Sequence, residues 1–224
     1  MAQFRTTLLA AACMGIGVLS QAQASPVTYT GYSVLNNQNV TLNDAALGIS
    51  NEHGGSGQIT LTGANTAGGS MATWCVDILH YLQGSGSFTT GTFLGGAVGG
   101  KINALMTNVI PTLGGDYNSS SALQVAIWEV EYGPDLTVAA SAGVLSLAGS
   151  YLSKVDGGAW KADPAMRVAL LAGGGRNQDQ AYLTPVPQPK SPMSVPEPAS
   201  LVMMAGGLLG LGLIQRRRTR ALRG

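Results

Sequence analysis

Asn118-Ser119-Ser120-Ser121-Ala122-Leu123-Gln124-Val125-Ala126-Ile127-Trp128-Glu129-Val130-Glu131-Tyr132 is the segment on which the fold class turns. Leu123, Ala126, Ile127 and Val130 recur at the three- and four-residue spacing that lays an apolar stripe along one helix face. Gln124, Trp128 and Glu131 share the neighbouring face. The serines ahead of the stripe are good N-cap residues, so Ser120 or Ser121 is expected to start the helix, with Gln124 in its first turn.

Upstream, residues 101–109 carry Ile102, Leu105, Met106 and Val109 at helical spacing, and Pro111 stops that helix. Downstream, a third helix is expected within 137–154. Strands read on both sides of this helical middle. Residues 27–35 are rich in β-formers, 57–63 alternate cleanly, and 71–78 and 87–94 are two further strands. Gly/Asn/Ser clusters at 51–57 and 63–70 read as connections. Residues 166–171 and 180–186 read as closing strands. The expectation is one α+β domain over 25–184, with a β-rich N-terminal half and a helical middle. Its length is enough for a core of its own. The proline density over 185–194 predicts a stiff, extended linker.

Beyond the linker stand Val195-Pro196-Glu197-Pro198, an apolar run over 199–214, and Gln215-Arg216-Arg217-Arg218-Thr219-Arg220. The run has 16 residues, fewer than the roughly 20 a hydrocarbon core requires. It also holds Gly206, Gly207, Gly210 and Gly212, each costing up to about 1 kcal/mol against alanine in a soluble helix. A membrane tolerates them better, because no water competes for the backbone hydrogen bonds. The arginines would stay on the cytoplasmic side and leave the domain outside. This three-part tail resembles the PEP-CTERM sorting signal of Gram-negative bacteria. The resemblance implies recognition by an exosortase, a membrane-embedded cysteine protease that removes the tail, with Pro196, Glu197 and Pro198 as the processing signal. It also implies a surface or exopolysaccharide-associated protein, held at the inner membrane during sorting and then released to the envelope or extracellular matrix.

The other end carries a matching address. Arg5 supplies a positive start, residues 8–19 are apolar or small, and Ala22-Gln23-Ala24 has the form signal peptidase reads. Residues 1–24 are therefore expected to be a signal peptide cleaved after Ala24. The formal +1 of the chain comes from its two ends. Between Ser25 and Pro192 six basic residues face ten acidic ones. A domain so charged is a poor match to nucleic acid, whose binding rests on phosphate neutralisation. Charged residues make up only 10% of the chain and glycine 32 of 224, so the surface must consist largely of Ser, Thr, Asn, Gln and Gly. Such a surface suits polysaccharide or other surface proteins.

Cys13 leaves with the signal, so Cys75 is the single cysteine of the exported domain, and a leftover thiol in that compartment calls for an explanation. Thr73-Trp74-Cys75-Val76-Asp77, followed 49 residues on by Gln124-Val125-Ala126-Ile127-Trp128, resembles the thioester domains of bacterial surface adhesins. Leu123 stands where those adhesins usually have threonine, and Trp74 where they usually have tyrosine. The resemblance implies that Cys75 gives the sulfur and Gln124 the acyl carbon of an internal thioester, with Trp128 as its apolar cover. A thioester is a good acyl donor because thiolate leaves readily. In the first turn, helix N-terminal N–H groups could stabilise the oxyanion. A surface amine or hydroxyl attacking Gln124 would be attached once, without turnover, so the protein is not expected to be an enzyme.

The same residues admit a structural role. Ser121-x-x-Gln124 fits a capping box, and a free cysteine is commonly a small buried hydrophobe. A structural matrix protein without chemistry therefore stays open. Cys75 with His80 suggests a cysteine hydrolase, although nothing requires Asp77 to orient the histidine, and His53 reads as part of a Gly-rich loop. Two histidines and one cysteine, without metal-ligand spacing, indicate no metal, and no cofactor is expected. Glu129 and Glu131 read as solvated, and Gly173-Gly174-Gly175 lacks the lysine and helix of a phosphate loop.

Overall fold

The computed structural model describes residues 26–187. The signal segment with Ala24, most of the linker, the sorting motif, the 199–214 run and the arginines lie outside the described residues. Eight strands form one sheet: β1 (Val27–Tyr29), β2 (Gly31–Asp44), β3 (Ile49–Thr62), β4 (Ser70–Cys75), β5 (Gly86–Phe93), β6 (Thr137–Ala139), β7 (Met166–Ala172) and β8 (Gln180–Pro185). Their order is β1-β5-β7-β8-β4-β3-β2-β6, and every neighbouring pair is antiparallel. Only Thr30 separates β1 from β2, yet β1 lies at one sheet edge and β2 beside the other. One residue spans less than about 4 Å per step, so the sheet curls back on itself. Two bonds seal the approach, from Thr30 N–H to Thr62 O at 2.9 Å and from Asn65 N–H to Thr28 O at 3.2 Å.

Three helices cover the sheet: α1 (Gly96–Val109), α2 (Tyr117–Tyr132) and α3 (Ala142–Asp156). α2 packs on β2, β3 and β4, α1 lies against β7 and β8, and α3 lies against both other helices. Every residue from Ser120 to Trp128 is buried, which marks α2 as the central helix. Leu123, Ala126 and Ile127 face the core with Ile102, Leu105, Met106 and Val109 of α1, each contributing on the order of 1.5–3 kcal/mol for a large apolar side chain. α1 starts five residues before the expected Lys101. It passes so near the preceding chain that a Cβ on Gly99 would lie 2.1 Å from Leu94 O, so glycine is required there.

Several other boundaries differ from expectation for identifiable reasons. α2 starts at an N-cap Asp116, whose carboxylate accepts from Asn118 and Ser119 N–H, not at Ser120 or Ser121. Asp116 follows two glycines and outcompetes the later serines. The strand expected over 27–35 is broken at Thr30. Residues 51–57, read as a connection, lie inside β3, where Gln38 pairs with Ser56, Val40 with Gly54 and Leu42 with Glu52. That ladder is made by backbone, and only the β2 strand shows alternation, with Val40, Leu42 and Asp44 buried. β4 ends at Cys75, three residues early. The region expected to hold only a helix splits into β6 and α3, the latter capped by the Ser141 hydroxyl. β8 ends at Pro185, one residue short of the strand read over 180–186 and at the first residue of the linker read over 185–194.

Candidate functional site

The site begins with a kink in a strand. β3 and β4 pair from Thr62–Ser70 to Ile59–Thr73, a register that would next set Gly57 opposite Cys75. β3 departs there instead: Gly57 has φ 152°, a region that glycine enters readily, and the pairing with β2 shifts beside it. Backbone groups on both strands lose their ladder partners, and buried groups of that kind must be bonded elsewhere. α2 supplies the replacements. Ser120 Oγ accepts from Gln58 N–H at 2.9 Å, and the Ser121 hydroxyl donates to Ser56 O at 2.7 Å.

Gln124 completes the set. Cys75 N–H donates to Gln124 Oε1 at 3.0 Å, and Gln124 Nε2 donates to Cys75 O at 2.7 Å. The carboxamide thus stands where a strand's peptide group would continue the ladder. Cys75 and Gln124 are brought together at the heart of the domain, exposed by only 2% and 1%. Gln124 lies about two turns into α2, so the expected capping box does not form and the helix N-terminus is too far to act on its carbonyl. The donor to that carbonyl is Cys75 N–H.

The thiol is held as well. Cys75 Sγ donates to Asp77 O at 3.1 Å, and burial pushes its pKa up to about 12. Trp128 Nε1 is buried and has no partner of ordinary hydrogen-bond geometry. Trp128 is 4% exposed and stands one turn beyond Gln124 on α2.

The segment after Cys75 is fixed from three sides. Tyr132 OH accepts from Ile78 N–H and donates to Val76 O, both at 3.0 Å, and burial raises the phenol's pKa above its ordinary value. Asp77 accepts from Leu79 N–H at 2.9 Å and pairs with His80 Nδ1 at 2.7 Å. Asp77 thus orients His80, a contact the sequence left open. Gln178 Nε2 donates to His80 O at 3.1 Å and is itself joined through Gln180 to Thr73. This polar chain gave no sequence signal, because Thr73 and Gln180 are 107 residues apart.

A cavity of about 170 Å³ opens beside the site, with Tyr32, Glu52, His80, Tyr81, Trp128 and Gln178 among its walls. His53, expected in a loop, lies on β3 with its Nδ1 bonded to Thr41 Oγ1 at 2.9 Å. Glu129 and Glu131 are part-buried, not solvated, and burial raises the pKa of both. Gly173, Gly174 and Gly175 form the turn between β7 and β8. Among the described residues no group of three or more His, Cys, Asp or Glu is placed to hold a metal.

Comparison with known proteins addresses the other end of the chain. No curated protein and no solved structure matches it. Residues 194–218 match the family model described as the PEP-CTERM protein-sorting motif. The motif implies an exported protein processed by an exosortase, with a membrane-anchored sorting tail and an envelope or extracellular location.

Proposed function

We propose that this exported protein is a surface interaction module that forms an internal thioester between Cys75 and Gln124 and uses it for covalent attachment. The reading rests on one observation: the Gln124 carboxamide is docked on Cys75 itself, through both its oxygen and its nitrogen. Rotation about the Cys75 Cα–Cβ bond turns the sulfur from Asp77 O toward Gln124 Cδ. The sulfur adds to that carbon, and charge gathers on Oε1, where Cys75 N–H waits at 3.0 Å, the range in which a donor stabilises an oxyanion. The C–N bond then breaks, and the nitrogen leaves as ammonia with the thiol's proton. A surface hydroxyl or amine later attacks Gln124 Cδ, the C–S bond breaks, and the proton returns to sulfur. Attachment is therefore a single event.

Magnitudes separate this from the cysteine-hydrolase alternative. With its pKa near 12, only about one thiol in 10⁵ is ionised at pH 7, which is a severe handicap to turnover by a thiolate nucleophile. A one-time intramolecular closure escapes it, because well-oriented neighbours react at effective molarities of about 10⁵–10⁸ M. A structural role is the second reading, favoured by the way Gln124 replaces lost ladder bonds. In that case the envelope protein is a matrix component whose amide stays intact. Methylamine separates the two. It should add once to the wild-type chain, at Gln124, and not to Cys75→Ala. Failure of the wild-type protein to take it up supports the matrix role and ends the thioester reading.

A further inference from the structure

We propose that His80, held by Asp77, is the base that admits a hydroxyl group to the Cys75–Gln124 bond, and that the cavity beside it receives a carbohydrate-like polyol. The inference rests on the thioester reading above and adds its acceptor. His80 Nδ1 is committed to Asp77 Oδ2 at 2.7 Å, and Asp77 Oδ1 is committed to Leu79 N–H. The ring is thereby fixed by a carboxylate, which in turn stands on a segment clamped by Tyr132 and Gln178. No described residue bonds its other nitrogen, Nε2. His80 and Trp128 are walls of one cavity, and Trp128 stands one turn beyond Gln124 on α2. The peptide oxygen of Asp77 also receives the Cys75 thiol's bond. One residue thus touches both the sulfur and the base.

The walls suit a polyol. Tyr32 and Tyr81, 40% and 68% exposed, offer ring faces to the C–H side of a sugar. Glu52, whose carboxylate receives Tyr81 OH, and Gln178 offer acceptors and donors to its hydroxyls. The volume of about 170 Å³ is more than ten times the roughly 10–15 Å³ that one water occupies on that measure. A hydroxyl is a weak nucleophile and needs its proton removed as it attacks, a service worth about 10²–10⁴-fold. In the step proposed, the acceptor oxygen bonds to Gln124 Cδ as its proton passes to His80 Nε2. The C–S bond breaks, and the same proton goes on to Cys75 Sγ. An ester and a free thiol result. Burial of the thiol favours that final resting place for the proton.

Hydrazine needs no such help, so two probes divide the roles. The full chain is mixed with glycerol or with hydrazine, and uptake at Gln124 is followed by mass. His80→Gln should slow glycerol uptake by about 10²-fold or more while hydrazine uptake stays within about twofold. Asp77→Asn should give the same split in weaker form, and serves alone if His80→Gln fails to release ammonia. Equal slowing of both probes, or glycerol uptake unchanged in both variants, overturns the role of His80. Wild-type protein that takes up hydrazine but not glycerol overturns the hydroxyl acceptor. Wild-type protein that takes up neither overturns the thioester itself.

Discussion

Gln124 carries a structural burden beside the chemical one proposed for it. Its carboxamide bonds both polar backbone groups of Cys75 in a site shut off from water. Gln124→Ala leaves a buried N–H and a buried C=O without partners and opens a cavity. The expected loss is about 3–5 kcal/mol, measured as a lower urea midpoint. Against protein opened by methylamine, in which no cross-link remains, Cys75→Ala removes only a small buried group and should cost about 1 kcal/mol. A second prediction concerns pH. The thiol's pKa is raised from 9.0 to about 12, so the fold favours the neutral form. Its contribution to stability is whole below pH 9 and is lost as pH rises through about 12. Protein opened by methylamine, with its thiol free, should lose stability relative to Cys75→Ala across that interval. Tyr29 and Tyr132, whose pKa values burial also raises, act alike in both proteins and cancel in the comparison.

At the scale of elements, the kink at Gly57 and the cap at Asp116 decide where Gln124 arrives. Asp116 sets the start of α2, and from that start Ser120, Ser121 and Gln124 reach the strand ends left open by β3. Its carboxyl pKa is lowered, chiefly by the Ser119 hydroxyl and then by Ser119 N–H. Its contribution is therefore present above the ordinary carboxylate value and fades as pH falls through the lower folded one. Asp116→Ala should lower the melting temperature at pH 7, with the difference shrinking in acid. The sequence displayed the elements that depend on side-chain period: the α1 and α2 stripes, β7 and β8. It concealed the middle of β3, where Glu52, His53, Gly54 and Gly55 are held by backbone pairing with β2. It likewise showed Cys75, Gln124 and Trp128 as residue types worth joining. It did not show what joins them, since ladder bonds lost at Gly57 leave no trace in a residue pattern. The Asp77–His80 pair was visible as spacing, but its orientation was not.

At the scale of the molecule, the sorting motif and the domain answer different questions. The motif at 194–218 concerns delivery, and replacing Pro196, Glu197 and Pro198 by alanine should leave the tail attached. Membrane fractions should then hold the uncut chain, where the unaltered protein appears shortened in the envelope or medium. Equal processing of both would contradict the assigned signal. The curled sheet with α2 at its centre concerns what is delivered: a domain that holds the Gln124 carboxamide on the Cys75 backbone away from water. The most direct measurement is the intact mass of the purified protein compared with that of its Cys75→Ala variant. Beyond the substitution itself, the account predicts that the unaltered protein is lighter by one ammonia; a difference equal to the substitution alone would contradict it.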